Sequence, residues 1–144
     1  MSPVRSQYVP QKAGTPFGRF VNRPSVEYTG RGNDLCCFAW NGRYFRSSIE
    51  DVKNQCNKFV EMINGTDKDD GDYGSVGDLE AMWGLFADDA GERFGWAPSD
   101  DWAFPCFTYD ICSRGTNLFD QFGEDVFLIS IPPEASPYEC YWEV

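Results

Sequence analysis

Histidine is absent from the chain. Its absence removes the Ser-His-Asp and Cys-His nucleophilic arrangements, histidine-ligated metals and the usual general base at neutral pH. The six cysteines (Cys36, Cys37, Cys56, Cys106, Cys112 and Cys140) include no C-x-x-C pair. That spacing argues against a cysteine zinc site. No glycine-rich phosphate loop or dinucleotide fingerprint occurs, and no apolar run approaches the length of a bilayer span. The start, "MSPVRSQYVPQKAG", lacks the apolar stretch of a signal peptide. The expectation is therefore a cytoplasmic or intracellular protein, or one assembled in a virion, with reduced thiols and no membrane partner.

Positive charge is also scarce, and it is unevenly placed. Twelve basic residues face 23 acidic ones, for a net charge of −11. Residues 1–33 carry five basic side chains against Glu27 alone, a net of +4, while residues 34–144 carry seven against 22, a net of −15. A body so acidic is not expected to bind nucleic acid directly, because phosphate recognition needs clustered Lys and Arg.

What is abundant is aromatic material, 17% of the residues, enough to build a core or an interface at this length of 144 residues. Residues 1–34 set Pro3, Pro10, Pro16 and Pro24 at regular intervals among aromatic and arginine side chains, with neither helical nor sustained strand periodicity. This reads as an extended, basic N-terminal arm whose anchors are Arg5, Tyr8, Phe17, Arg19, Phe20 and Arg23.

Residues 35–144 read as a single acidic domain. "LCCFAW" and "RYFR", separated by Asn41-Gly42, predict a hairpin. Ser47 or Ser48 then opens a helix whose apolar stripe is Ile49, Val52, Cys56, Phe59, Val60 and Ile63, with Gly65 as its stop. A second helix is expected from about Val76 to Glu92, with Phe86 on its core face. "CFTYDIC", "DVFLISI" and "YECYWEV" read as strands, the middle one central and ended by Pro132-Pro133. The expected fold class is α+β: a mostly antiparallel sheet with two helices packed on one face, preceded by the arm.

The stretch "NGTDKDDGDYGSVGDLE", residues 64–80, holds six acidic residues and four glycines between the two predicted helices. An EF-hand loop wants ligands at positions 1, 3 and 5, glycine at 6 and Glu at 12. A register starting at Asp69 puts Gly71 and Tyr73 at positions 3 and 5, and one starting at Asp67 puts Asp72 where glycine belongs. Neither register binds calcium; Ser75 with Asp78 makes a capping box instead. No cofactor or metal is expected.

Three functional readings follow, in order. The first is a non-enzymatic interaction protein, a structural or accessory subunit of a larger assembly such as a virus or phage particle. It would dock through its arm onto a protein partner, copies of itself included. The second is an acidic mimic of nucleic acid that inhibits a DNA- or RNA-processing enzyme of host defence. Its contact surface would be Asp69, Asp70, Asp72, Asp88, Asp89, Asp100 and Asp101. The third is a hydrolase working through Asp88/Asp89 and Asp100/Asp101, carboxylates that lie near Trp96 and Trp102 in sequence.

Overall fold

A computed structural model describes residues 24–65, 71–98 and 105–139. Its main element is a five-stranded sheet in the order β1-β3-β2-β7-β6, built from β1 (Val26–Tyr28), β2 (Asp34–Phe38), β3 (Arg43–Ser47), β6 (Thr108–Cys112) and β7 (Val126–Ser130). A smaller antiparallel sheet, order β4-β5-β8, joins β4 (Gly74–Ser75), β5 (Phe94–Trp96) and β8 (Tyr138–Glu139). Among the described residues four α-helices accompany them: α1 (Ile49–Asn64), α2 (Val76–Trp83), α3 (Asp89–Arg93) and α4 (Asn117–Phe122).

The class is α+β, with two corrections to the sequence reading. First, the main sheet is mixed: β1 pairs parallel with β3, and β2 pairs parallel with β7. The cause is topological. β1 adds to the hairpin edge from outside, and β7 returns beside β2 only after a long excursion through the helices, a connection that permits either direction. Second, the described residues contain four α-helices where two were expected. The span read as one helix from Val76 to Glu92 divides at Gly84, which is left-handed at φ +96°, and restarts where Asp88 caps Gly91 N–H at 2.7 Å. The turn-like residues before β7 contain α4, capped by Thr116.

Other expectations hold. Ser48 caps α1 by accepting from Asp51 N–H, and Gly65 follows its last turn. Ser75 and Asp78 form a reciprocal capping box on α2. The hairpin is present, but its loop is the four residues 39–42, closed by Gly42 N–H donating to the Phe38 carbonyl at 2.8 Å. Val26–Tyr28, within the stretch read as extended arm, is extended as strand β1, and Thr29 behind it donates through N–H and Oγ1 to the Arg46 carbonyl. Residues 1–23 lie outside the described residues.

The core lies between the main sheet and α1 with α2. Cys36, Phe38, Phe45 and Ile129 from the strands meet Val52, Cys56, Phe59 and Ile63 of α1 and Leu79 and Trp83 of α2. Trp83 is its centre. Phe45 stacks on it at 5.3 Å, Phe38 meets it edge-on at 5.0 Å, and its indole N–H donates to the Val52 carbonyl. The opposite face of the sheet carries a smaller cluster of Leu35, Cys37 and Val126, against which α4 places Phe122 and Leu118.

Candidate functional site

Where β3, α2 and α3 converge, an apolar interior admits one carboxylate. Glu80 of α2 is completely buried. Such a charge is tolerated only with partners, and the neighbouring elements supply three. Asn41 donates to Oε2 at 2.7 Å, Arg43 Nη1 lies 3.0 Å from the same oxygen, and the Asp88 backbone N–H donates to Oε1 at 3.3 Å.

Arg43 extends the network. Its Nε and Nη2 form a fork on the Glu27 carboxylate at 2.9 and 2.7 Å, and Nη1 donates to the Phe86 carbonyl at 2.7 Å. Asn41 also donates to Asp88 Oδ2 at 2.9 Å, while Asp88 Oδ1 caps α3. Burial raises the pKa of Glu80; Arg43 pulls it down, and Asp88 adds to the rise. Burial works to lower Arg43, but its bonds to Glu27 and the charge of Glu80 leave it above its ordinary value.

Both Glu80 oxygens are thus engaged by protein donors inside the fold, and the chemistry of the arrangement is that of a clamp. Gly91 is required by it: a Cβ there would stand 2.6 Å from Glu80 Oε1 and from Asp88 Oδ1. Among the described residues, no three side chains from His, Cys, Asp and Glu form a group able to hold a metal ion.

What the clamp holds is a presenting loop. Gly84 turns the chain out of α2, Leu85 is buried, and Phe86 projects with 90% of its surface exposed. The loop is tied at both ends, by Leu85 N–H on the Glu80 carbonyl and Asp88 N–H on the Glu80 side chain, and in the middle by Arg43. Exposed Asp89 and Glu92 follow on α3, and Glu27 borders the loop from β1 through Arg43. The result is an exposed aromatic ring on a restrained backbone near several carboxylates, a preorganised contact point of the kind that binding interfaces use.

Of the residues singled out by sequence, Asp88 is turned inward as the cap of α3 and the partner of Asn41, and Asp89 is exposed beside it. Asp72 is exposed, its backbone N–H held by the Met62 carbonyl. Asp69, Asp70, Asp100 and Asp101 lie outside the described residues, as do the arm anchors Arg5, Tyr8, Phe17, Arg19, Phe20 and Arg23. Sequence reasoning missed Phe86, Glu80, Arg43, Asn41 and Glu27. Phe86 fitted the core stripe of a helix that in fact stops three residues earlier, and Gly84 was the signal for that stop. Glu80 read as a solvated charge near a helix start, and nothing in local spacing distinguishes it from one.

No protein-family model, curated protein or solved structure matches the chain.

Proposed function

We propose that the protein is a non-enzymatic interaction protein, a structural or accessory subunit of a larger assembly, virion-type assemblies included. It docks through its basic N-terminal residues onto a protein partner. The observation that carries the reading is the charge and anchor contrast within one chain. Residues 1–23 hold four basic side chains and no acid, interleaved with Tyr8, Phe17 and Phe20, ahead of a body of net charge −15. The clamped loop adds a second contact point, Phe86, on the acidic body. The only fully buried acid among the described residues, Glu80, has both oxygens occupied in holding that loop.

The test is affinity capture from the native source with the full chain and with a chain starting at Pro24, followed by rebinding of the identified protein in purified form. A partner retained by the full chain and lost by the shortened one is expected. Equal retention by both overturns docking through the arm.

A second reading, the acidic mimic, is favoured by the density of charge in residues 59–144, where 19 acids face Lys68, Arg93 and Arg114. It requires competition with duplex DNA for a nucleic-acid enzyme, weakened when Asp89, Asp100 and Asp101 are neutralised together. Asp88 is excluded from that variant because it caps α3. Unchanged competition would remove the mimic from consideration.

A further inference from the structure

The five-stranded sheet ends at β1, and among the described residues no strand lies beyond it. β1 runs parallel to β3, with Val26 beside Tyr44 and Tyr28 beside Arg46, and Thr29 N–H donates to the Arg46 carbonyl at 3.2 Å. Along a parallel strand, residues that bond to the neighbour alternate with residues whose backbone groups face the other way. Thr29 bonds inward, so Glu27 does as well, and the N–H and C=O groups of Val26 and Tyr28 point outward. They form the open row that an edge strand offers to another chain.

Edges are commonly blocked by a charge, a proline or a bulge. β6, at the opposite edge, carries an exposed Asp110 at its centre. β1 has Glu27 at its centre, but both oxygens of that carboxylate lie in the Arg43 fork at 2.9 and 2.7 Å, and the strand contains neither lysine nor proline. The charge that blocks one edge is neutralised at the other. The same contacts hold β1 in place, together with the Thr29 hydroxyl on the Arg46 carbonyl at 2.7 Å.

Two of the three exposed large apolar side chains among the described residues belong to this edge. Tyr28, 75% exposed, stands on β1 itself, on the face shared with Arg46. The clamped loop passes over the other face. A Cβ on Gly84 would stand 3.4 Å from Thr29 Cβ, and Arg43 joins the Phe86 carbonyl to Glu27. From Phe86 the chain continues into the exposed carboxylates of Asp89 and Glu92.

We propose that the β1 edge takes up an extended segment of a basic protein partner as an additional strand, bonded to the outward groups of Val26 and Tyr28. Its apolar side chains lie beside Val26 and Tyr28, and its Lys or Arg side chains lie on the side of Phe86, Asp89 and Glu92. Main-chain bonds supply affinity in this mode, and alternate side chains supply specificity. Charge selects the partner. An exposed ring among carboxylates suits a cation, and a body of net charge −15 repels a second copy of itself. A two-fold antiparallel pairing centred on β1 would also set one Glu27 against the other. The inference rests on the reading of the chain as an interaction protein, but not on docking through residues 1–23.

The experiment titrates the full chain with an end-capped peptide alternating valine and lysine, beside one alternating valine and glutamate. Amide hydrogen exchange is read at β1. The lysine peptide is expected to bind and to slow exchange at Val26 and Tyr28 while leaving Glu27, already bonded to β3, unchanged. The glutamate peptide should do neither. Y28P removes one outward N–H and no inward one, and should weaken binding by about tenfold. Y28A, which keeps the N–H, and F86A should each weaken it by about threefold, the effect of one exposed side-chain contact. Absence of lysine-peptide binding overturns the proposal, as does binding that leaves Val26 and Tyr28 exchange unchanged, which would be attraction by charge alone. Val26 and Tyr28 amides already slow in dilute protein without peptide would show the edge to be covered. Slowing that grows with protein concentration would assign the edge to a second copy, and either result overturns the proposal. Capture of a partner through residues 1–23 is read by a separate assay, so either claim can fail without the other.

Discussion

The two faces of the five-stranded sheet are made by the same strands and finished differently. On one, two helices bring Trp83, Phe59, Val52 and Leu79 down onto Phe38, Phe45 and Ile129, and nearly every apolar side chain is removed from water. On the other, one short helix covers Leu35, Cys37 and Val126 and leaves Val26, Tyr44 and Leu128 half-exposed. The difference separates what holds the fold from what remains for contacts. The closed face carries the stability, and its buried acid is spent on fixing the loop that displays Phe86. The half-open face lies where the basic N-terminal residues join the body.

The largest effect should come from the closed face. Trp83→Ala removes the ring on which Phe38 and Phe45 pack and leaves the Val52 carbonyl without its indole donor. A loss of about 4 kcal/mol is expected from urea denaturation. A loss under about 1 kcal/mol would mean that the cavity closes and that the two faces are not so unequal.

Next is the clamp. Glu80→Gln keeps the shape but takes the charge from Arg43 and forces an amide donor toward Asn41 or the Asp88 N–H. About 2 kcal/mol should be lost, discounted because Arg43 is partly exposed at its Glu27 end. The Phe86 loop should become more susceptible to protease. Unchanged loop protection would show that the loop is held without the clamp.

A smaller, pH-dependent effect distinguishes the buried thiols. Burial raises Cys56 from 9.0 to about 11 and Cys36 from 9.0 to about 12. A thiol held above its unfolded value favours the folded state below pH 9.0, and that contribution is lost as pH rises toward the folded value. Stability should therefore fall with increasing pH above about 9, by at most about 1.4 kcal/mol per pH unit for each such group. Cys56→Ala should make the slope shallower by one group while costing some packing. An unchanged slope would place the alkaline transition elsewhere.

Local patterns in the sequence identified much of the closed face. The stripe from Val52 to Ile63, the Ser48 and Ser75 caps, the hairpin around Asn41-Gly42 and the central strand ending at Pro132 are each encoded within about a dozen residues. Strand direction was not legible, because β1 and β7 reach their parallel neighbours through contacts far apart in sequence. The clamp was hidden for the same reason: Asn41 and Glu80 are 39 residues apart, and only the fold makes their meeting necessary. Phe86 misled because an apolar residue at helical spacing reads as core unless the left-handed glycine two positions before it is given more weight. Of the seven acids read as a contact surface, Asp72 and Asp89 are exposed, and Asp88 is largely structural.

The central claim is that the closed face folds the body without residues 1–23, since its core is drawn from Cys36 to Ile129. The most direct measurement compares urea denaturation of the full chain with that of a chain starting at Pro24. The shortened chain is expected to unfold cooperatively with its tryptophan near-ultraviolet circular dichroism intact. A shortened chain that fails to fold would contradict the independence of the closed face.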